Sequence, residues 1–377
     1  MIHDEIEQIL KRSIVFRGVA PGASASLAAF HEAGWQRAEA AAGARSGADP
    51  SGVRVETLYD LASLTKPVLA CTLARAIRRG ALGWDTSLGE ILSEARGTAS
   101  EHVPVELLLS HRAGLEAHVR LRATAVAPQR WLSLCANLRR ADCSGPPPAG
   151  GFPPIYSDLG YILLGAALEA QLGCPLEQSL RREVSTPLGL ELGSAAEWSR
   201  ELGSERFLAR VAPTEVLAER GGELLGVVHD DNAWDLAGER TAGHAGLFGT
   251  ARGVAGFGMA VVDALAGRRP GWLLAEEVYV LVRERPGGSL RAGFDGKAPV
   301  GSSAGDRFGH HAFGHLGFTG TSIWCDPAAQ IVVSLLTNRV WPTRENILIR
   351  SVRPDVHGAF FGLAADLLSA DRPLTGQ

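Results

Sequence analysis

Residues 314–339 read GHLGFTGTSIWCDPAAQIVVSLLTNR. Two runs rich in β-branched and aromatic side chains, around SIWC and IVVSLL, flank DPAAQ, a turn-forming segment. That is the pattern of a β-hairpin. A last helix is expected after it, from about 355 to 369. At the other end of the chain, GASASLAAFHEAGWQRAEAAAG (22–43) holds two short apolar runs that reverse around Gly34. It reads as a second hairpin, although alanine is a poor strand former.

Before that hairpin, MIHDEIEQILKRSIVF places Ile2, Ile6, Ile9 and Leu10 at helical spacing. After it, SLTKPVLACTLARAIRRG reads as a helix that stops at Gly80. The middle is mostly helical in periodicity. It is broken by Gly/Pro-rich stretches such as CSGPPPAGGFPP (143–154), and VAGFGMAVVDALAG (254–267) reads as a buried helix. Strands at both ends with helices between predict an α+β fold. An antiparallel sheet is formed by the N- and C-terminal strands with flanking helices, and a mostly helical domain is inserted. The expected division is 1–84 with 301–377 for the sheet domain and 85–300 for the helical one, with a cleft between them.

The chain has 377 residues, 46% hydrophobic and 21% charged, which is ordinary for a globular protein and enough for a large core. A net charge of −4 argues against nucleic acid as the main partner. No apolar run is long enough for a membrane-spanning helix. Five cysteines, Cys71, Cys135, Cys143, Cys174 and Cys325, with no C-x-x-C, fit free thiols of a reducing compartment. The N-terminus lacks a signal-peptide layout, so the expected location is the cytoplasm; an exported chain with its leader removed would look the same.

The chemistry begins at DLASLTKPVLA (60–70). On a helix, Ser63 and Lys66 share a face with Cβ atoms about 5–6 Å apart. A serine hydroxyl needs a base to become a nucleophile, and a lysine one turn away can serve. The N–H groups of a helix start can hold an oxyanion, and Pro67 fits a first turn. Taken alone, S-x-x-K is a weak signal, equally met by a capping serine and a solvated lysine. In PPIYSDLGYILLG (153–165), Ser157 or Asp158 suits a helix N-cap, which aims Tyr156 out of the loop. A tyrosine base at neutral pH needs its pKa lowered by roughly 3 units, which a nearby ammonium can supply. In GHLGFTGT, His315, Gly317 and Phe318 fall on a strand; the glycine lets a substrate approach, and the Phe318 N–H is a candidate oxyanion donor.

Together the three segments resemble the three motifs of the penicillin-recognising serine enzymes: S-x-x-K, Tyr-x-Asn/Asp and Lys/His-x-Gly, in that order. The chain is most similar to the class C β-lactamase-like branch, with esterases, D-peptidases and penicillin-binding-protein homologues. LLLSHRAGL (107–115), AGHAGLFGTARGVAGF (242–257) and the segment 317–346 carry the likeness further. The resemblance implies Ser63 as acyl acceptor, Lys66 and Tyr156 as its proton-handling pair, and the N–H groups of Ser63 and Phe318 as oxyanion hole. His315 takes the place of the strand lysine and Asp158 that of the asparagine.

Three departures shape the expected substrate. His315 is mostly neutral near pH 7.5, Asp158 cannot donate while ionised and repels acids, and Phe318 replaces a small hydroxyl residue. All three favour neutral acyl groups, so a small ester, amide or peptide is expected as partner, with no cofactor and no metal. A D-Ala carboxypeptidase or weak β-lactamase is the nearest alternative. A non-catalytic ligand-binding scaffold is another. A metal site would have to draw on His310, His311 and His315, or on His229, Asp230, Asp231 and His244, but no H-E-x-x-H is present; His229 and His244 are expected to tie down loops.

Overall fold

The computed structural model describes residues 2–32 and 34–368. Its main sheet has six antiparallel strands: β1 (Gly22–His31), β2 (Gly34–Gly43), β3 (Asp295–Gly296), β4 (Phe313–Leu316), β5 (Ser322–Asp326) and β6 (Ile331–Thr337), in spatial order β2-β1-β6-β5-β4-β3. The 314–339 stretch forms the β5–β6 hairpin, with Trp324 opposite Val333. Strand β1 pairs with β6, Ala25 opposite Leu335, and so joins the two ends of the chain. This is the α+β fold expected from the sequence.

Alanine suits β1 because the strand is covered on both faces. Ala23, Ala25, Leu27 and Ala29 pack with Ile6 and Leu10 of helix α1 (Ile2–Leu10) and with Phe360 of the C-terminal helix. The opposite face, with Val332, Leu336, Ile323 and Cys325, is covered by the helix Ala251–Leu265. Small side chains let helices approach closely, and burial outweighs weak strand propensity. Gly258 marks the closest approach: a Cβ there would stand 2.7 Å from Val332 Cγ1.

The expected division at 300 does not coincide with the sheet. Strand β3 and the helix over 251–265 both belong to it, although they lie inside 85–300. The periodicity of a helix identifies its apolar face but not the surface that covers it. The C-terminal helix runs Ile349–Leu367, beginning before the expected 355 and carrying Pro354 inside; Ser369 lies outside the described residues.

A three-stranded sheet of Tyr59–Asp60, Leu247–Gly249 and Leu192–Ser194 underlies the cleft. Out of Tyr59–Asp60 the chain makes a 3₁₀ turn (Ala62–Leu64) and enters helix α2 (Thr65–Arg78), after which Gly80 has φ +75°. Helix α3 (Asp158–Leu172) packs against α2 in the helical part. All five cysteines are free. No single helix among the described residues is long and apolar enough to cross a membrane.

Candidate active site

Ser63 stands where backbone geometry is forced. Ala62 has φ +47°, a region a side-chain-bearing residue seldom adopts, and its N–H is held by Asp60 Oδ1 at 2.8 Å. Asp60 Oδ2 also accepts from the His229 N–H at 2.7 Å. The turn therefore presents a partly exposed Ser63 at the first turn of the helix, where its N–H has no intrahelical partner.

Lys66 is buried, and its Nζ has three acceptors: Ser63 Oγ at 2.9 Å, Asp158 Oδ1 at 2.8 Å and the His244 carbonyl at 3.2 Å. Three acceptors match the three protons of an ammonium. Ser157 is the N-cap of α3, its Oγ accepting from the Gly160 N–H, so Asp158 takes the first helical position and reaches Lys66. Burial pushes the Asp158 carboxyl up, but Lys66, His118 and His244 outweigh it and hold it far below the usual carboxylate range.

Tyr156 lies beside them, its ring 4.9 Å from Lys66 Nζ and stacked on His111 at 4.7 Å. Burial, with Asp158 next, pushes its phenol well above the ordinary value, and a hydrogen bond with Ser63 pulls it only partly back. The lowered pKa expected for a tyrosine base is not what this environment produces. Lys66 is neutralised by Asp158, so its field at the phenol is cancelled by a nearby carboxylate.

Strand β4 ends at Leu316, and Gly317 and Phe318 lie in the following turn, not on the strand expected for them. Gly317 is needed for packing more than for ligand approach: a Cβ there would sit 1.9 Å from Thr321 Oγ1 and 2.6 Å from the Leu61 carbonyl. That closeness docks the turn onto the residues preceding Ser63. Arg353 donates to the Gly317 carbonyl at 3.2 Å, and Arg339 donates to the Phe318 carbonyl at 2.8 Å. The Phe318 N–H has no hydrogen-bond partner among the described residues. Its half-exposed ring lies between His229 (5.6 Å) and Arg339 (4.5 Å).

His315 is buried. Burial, with Lys66 adding to it, pushes the imidazole below its ordinary value despite Asp295. Its Nδ1 is 2.9 Å from the Leu316 carbonyl, which can only accept, so Nδ1 carries the proton. Ser63, Tyr156, Asp158, His315, Gly317 and Phe318 all line one cleft of about 550 Å³. His229 pairs with Glu215 and His244 with Asp230, each at 2.8 Å, which ties down the loops around it. His310 and His311 sit apart with Glu284 on the surface.

The profile of the Beta-lactamase family matches residues 6–353. The chain belongs to that family. It is 24% identical over 317 residues to a putative D-alanyl-D-alanine carboxypeptidase of Escherichia coli O157:H7, covering 78% of this chain and 71% of the relative. It is 31% identical over 182 residues to esterase EstB of Burkholderia gladioli, 45% of each chain. Among solved structures, EstCE1, a hydrolase with promiscuous acyltransferase activity, superposes with a TM-score of 0.67 at 21% identity, over 95% of this chain and 99% of its own.

Seen as a Beta-lactamase family cleft, the site contains groups that sequence reading passed over. His111, which stacks on Tyr156, was visible only inside the SHRAG segment; its Nδ1 accepts from the Ser157 N–H, and burial lowers it to about 3. Asp295, Arg339, Arg350 and Arg353 also line the cleft, and no motif flagged them. The expectation that Asp158 repels acidic substrates needs correcting, because its charge is engaged by Lys66 and His118.

Proposed function

We propose that this protein is a serine hydrolase that transfers the acyl group of a small ester or amide to Ser63 and then to water. The observation that carries this reading is Lys66 Nζ 2.9 Å from Ser63 Oγ, in a cleft where the Phe318 N–H is unpartnered. Ser63 Oγ attacks the carbonyl carbon, and the N–H groups of Ser63 and Phe318 receive the oxyanion. Such a donor is worth about 10²–10³ in rate.

Lys66 donates to Ser63 Oγ, so the serine's own proton is free to point at Tyr156. A neutral phenol can relay: Tyr156 takes the Ser63 proton while passing its own to the leaving oxygen or nitrogen. One serine O–H breaks, one leaving-group bond to hydrogen forms, and the tyrosine is unchanged. Water then runs the same relay in reverse and releases the acid. Lys66 holds the charge that develops between the two oxygens.

A neutral His315 and the bulky Phe318 favour esters and uncharged amides over penicillins. A second reading, a carboxylate-bearing peptide substrate, is supported by Arg350. This exposed guanidinium lines the cleft with no hydrogen-bond or carboxylate partner among the described residues.

The test is hydrolysis of p-nitrophenyl butyrate by the wild type and by Ser63→Ala, with nitrocefin alongside. Turnover that survives in Ser63→Ala, or is missing in both together with no fluorophosphonate adduct on Ser63, would turn the reading toward a binding scaffold. Comparable kcat/KM on nitrocefin and the ester would remove the ester preference.

A further inference from the structure

Asp295 lies on the edge strand β3, opposite Gly314 and next in register to His315, and it lines the cleft. Its Oδ1 is buried and has no hydrogen-bond partner among the described residues. A buried acceptor without a donor is unusual enough to require a cause. The other cleft carboxylates are engaged: Asp158 by Lys66 and His118, Asp230 by His244, Asp231 by Arg120 and Arg220. Arg291 does not relieve Asp295, since its guanidinium donates to the Val282 carbonyl and leans toward Glu284. His315 does not relieve it either: with its proton on Nδ1, a neutral ring leaves Nε2 bare. Two acceptors thus face this end of the cleft, and neither has a donor.

We infer that Asp295, together with His315 Nε2, forms a subsite for a protonated amine on the leaving group of the substrate. This rests on the hydrolase reading in one respect, the orientation. The acyl oxygen goes to the Phe318 N–H, and the leaving group goes to Tyr156, whose ring is 6.0 Å from that of His315. A leaving group that extends past Tyr156 therefore runs toward Asp295. The cleft's charge is graded in the same direction. Arg339 and Arg353 hold the turn at Gly317 and Phe318, beyond one end of β4, and Asp295 stands beside Gly314 toward the other. Burial holds the Asp295 carboxyl above the usual range against His315, Lys66 and Arg291, and Tyr156 and Tyr161 feel its charge. An arriving ammonium favours the charged carboxylate and so opposes that shift.

The experiment compares ω-aminoalkyl butyrates of three to five methylenes with the alkyl esters in which CH₃ replaces NH₃⁺. The wild type is expected to prefer the cationic member of at least one pair by about tenfold or more in kcat/KM. Asp295→Asn is expected to bring that ratio close to one, and lowering the pH to erode it in the wild type. Equal ratios in wild type and Asp295→Asn overturn the assignment. Asp295→Ser, checked for folding by thermal melting, serves if the first variant is unstable. Calorimetry on Ser63→Ala needs no turnover: pentylamine should bind about tenfold tighter than pentanol, and adding Asp295→Asn should abolish the difference. No advantage for the amine there overturns the subsite. If no ester is turned over, the hydrolase reading fails, and the calorimetric ratio still decides Asp295.

Discussion

Arg353 Nη2 donates to the Gly317 carbonyl at 3.2 Å, and that carbonyl shares a peptide plane with the Phe318 N–H. A trans peptide is planar, so its C=O and N–H point in opposite directions. Holding the oxygen on the buried side turns the N–H toward the cleft. Arg353 also donates to the Thr321 carbonyl at 2.8 Å and is only 6% exposed, so it is a rigid clamp.

Arg353→Met should therefore lower kcat by about ten- to a hundredfold with a smaller change in KM, because a misaligned oxyanion donor costs most in the transition state. Steady-state kinetics on a p-nitrophenyl ester, with a melting curve to confirm folding, decide it. A rise in KM at constant kcat would assign Arg353 to substrate binding instead.

The Lys66–Asp158 pair gives a stability prediction. Lys66 has a fully buried side chain and Asp158 one that is 18% exposed. Breaking such a pair from one side leaves an uncompensated charge and costs about 3–5 kcal/mol. Lys66→Met and Asp158→Asn should each destabilise by roughly that much, and the double variant by clearly less than the sum. Urea unfolding of the four proteins measures the coupling; strict additivity would mean the two groups do not interact in solution.

Tyr156→Phe removes the relay hydroxyl but keeps the ring that stacks on His111. We expect kcat to fall about 10²–10⁴-fold. Because burial holds the wild-type phenol well above its ordinary value, the wild-type rate should show no rise that tracks phenolate formation between pH 6 and 9. A pH–kcat profile on both proteins tests this, and near-full activity in Tyr156→Phe would exclude the relay.

Acid should destabilise the protein from about pH 6.5 downward, above the range where ordinary carboxylates titrate. His111 and His357 are buried, and each is lowered to about 3 from its ordinary value. Below about pH 6.5 the unfolded chain takes up protons that the folded state refuses, so stability is full above that pH and is lost as the pH falls toward 3. At pH 5 each histidine should contribute a loss of about 2 kcal/mol. Urea midpoints at pH 7 and pH 5 measure the drop, and His357→Gln should flatten it; an unchanged slope would place the effect elsewhere.

The sequence by itself determined the elements and singled out the candidate reacting groups. Short apolar runs on either side of DPAAQ and of Gly34 marked the two hairpins, and short-range spacing put Ser63 and Lys66 on one helical face. Both signals are local, carried by neighbouring residues in the backbone's own periodicity. The order of the three motifs was legible for the same reason. Only the tertiary structure decided what surrounds them. It brought Asp158 to Lys66, left Tyr156 a neutral phenol, docked Gly317 on Leu61 and turned the Phe318 N–H inward through Arg353. It placed Asp295 beside His315 from an edge strand that no pattern announced. It also laid the helix over 251–265 on the sheet. These outcomes depend on burial and on charges far apart in sequence, and an ionisable group's state is set by its neighbours in space.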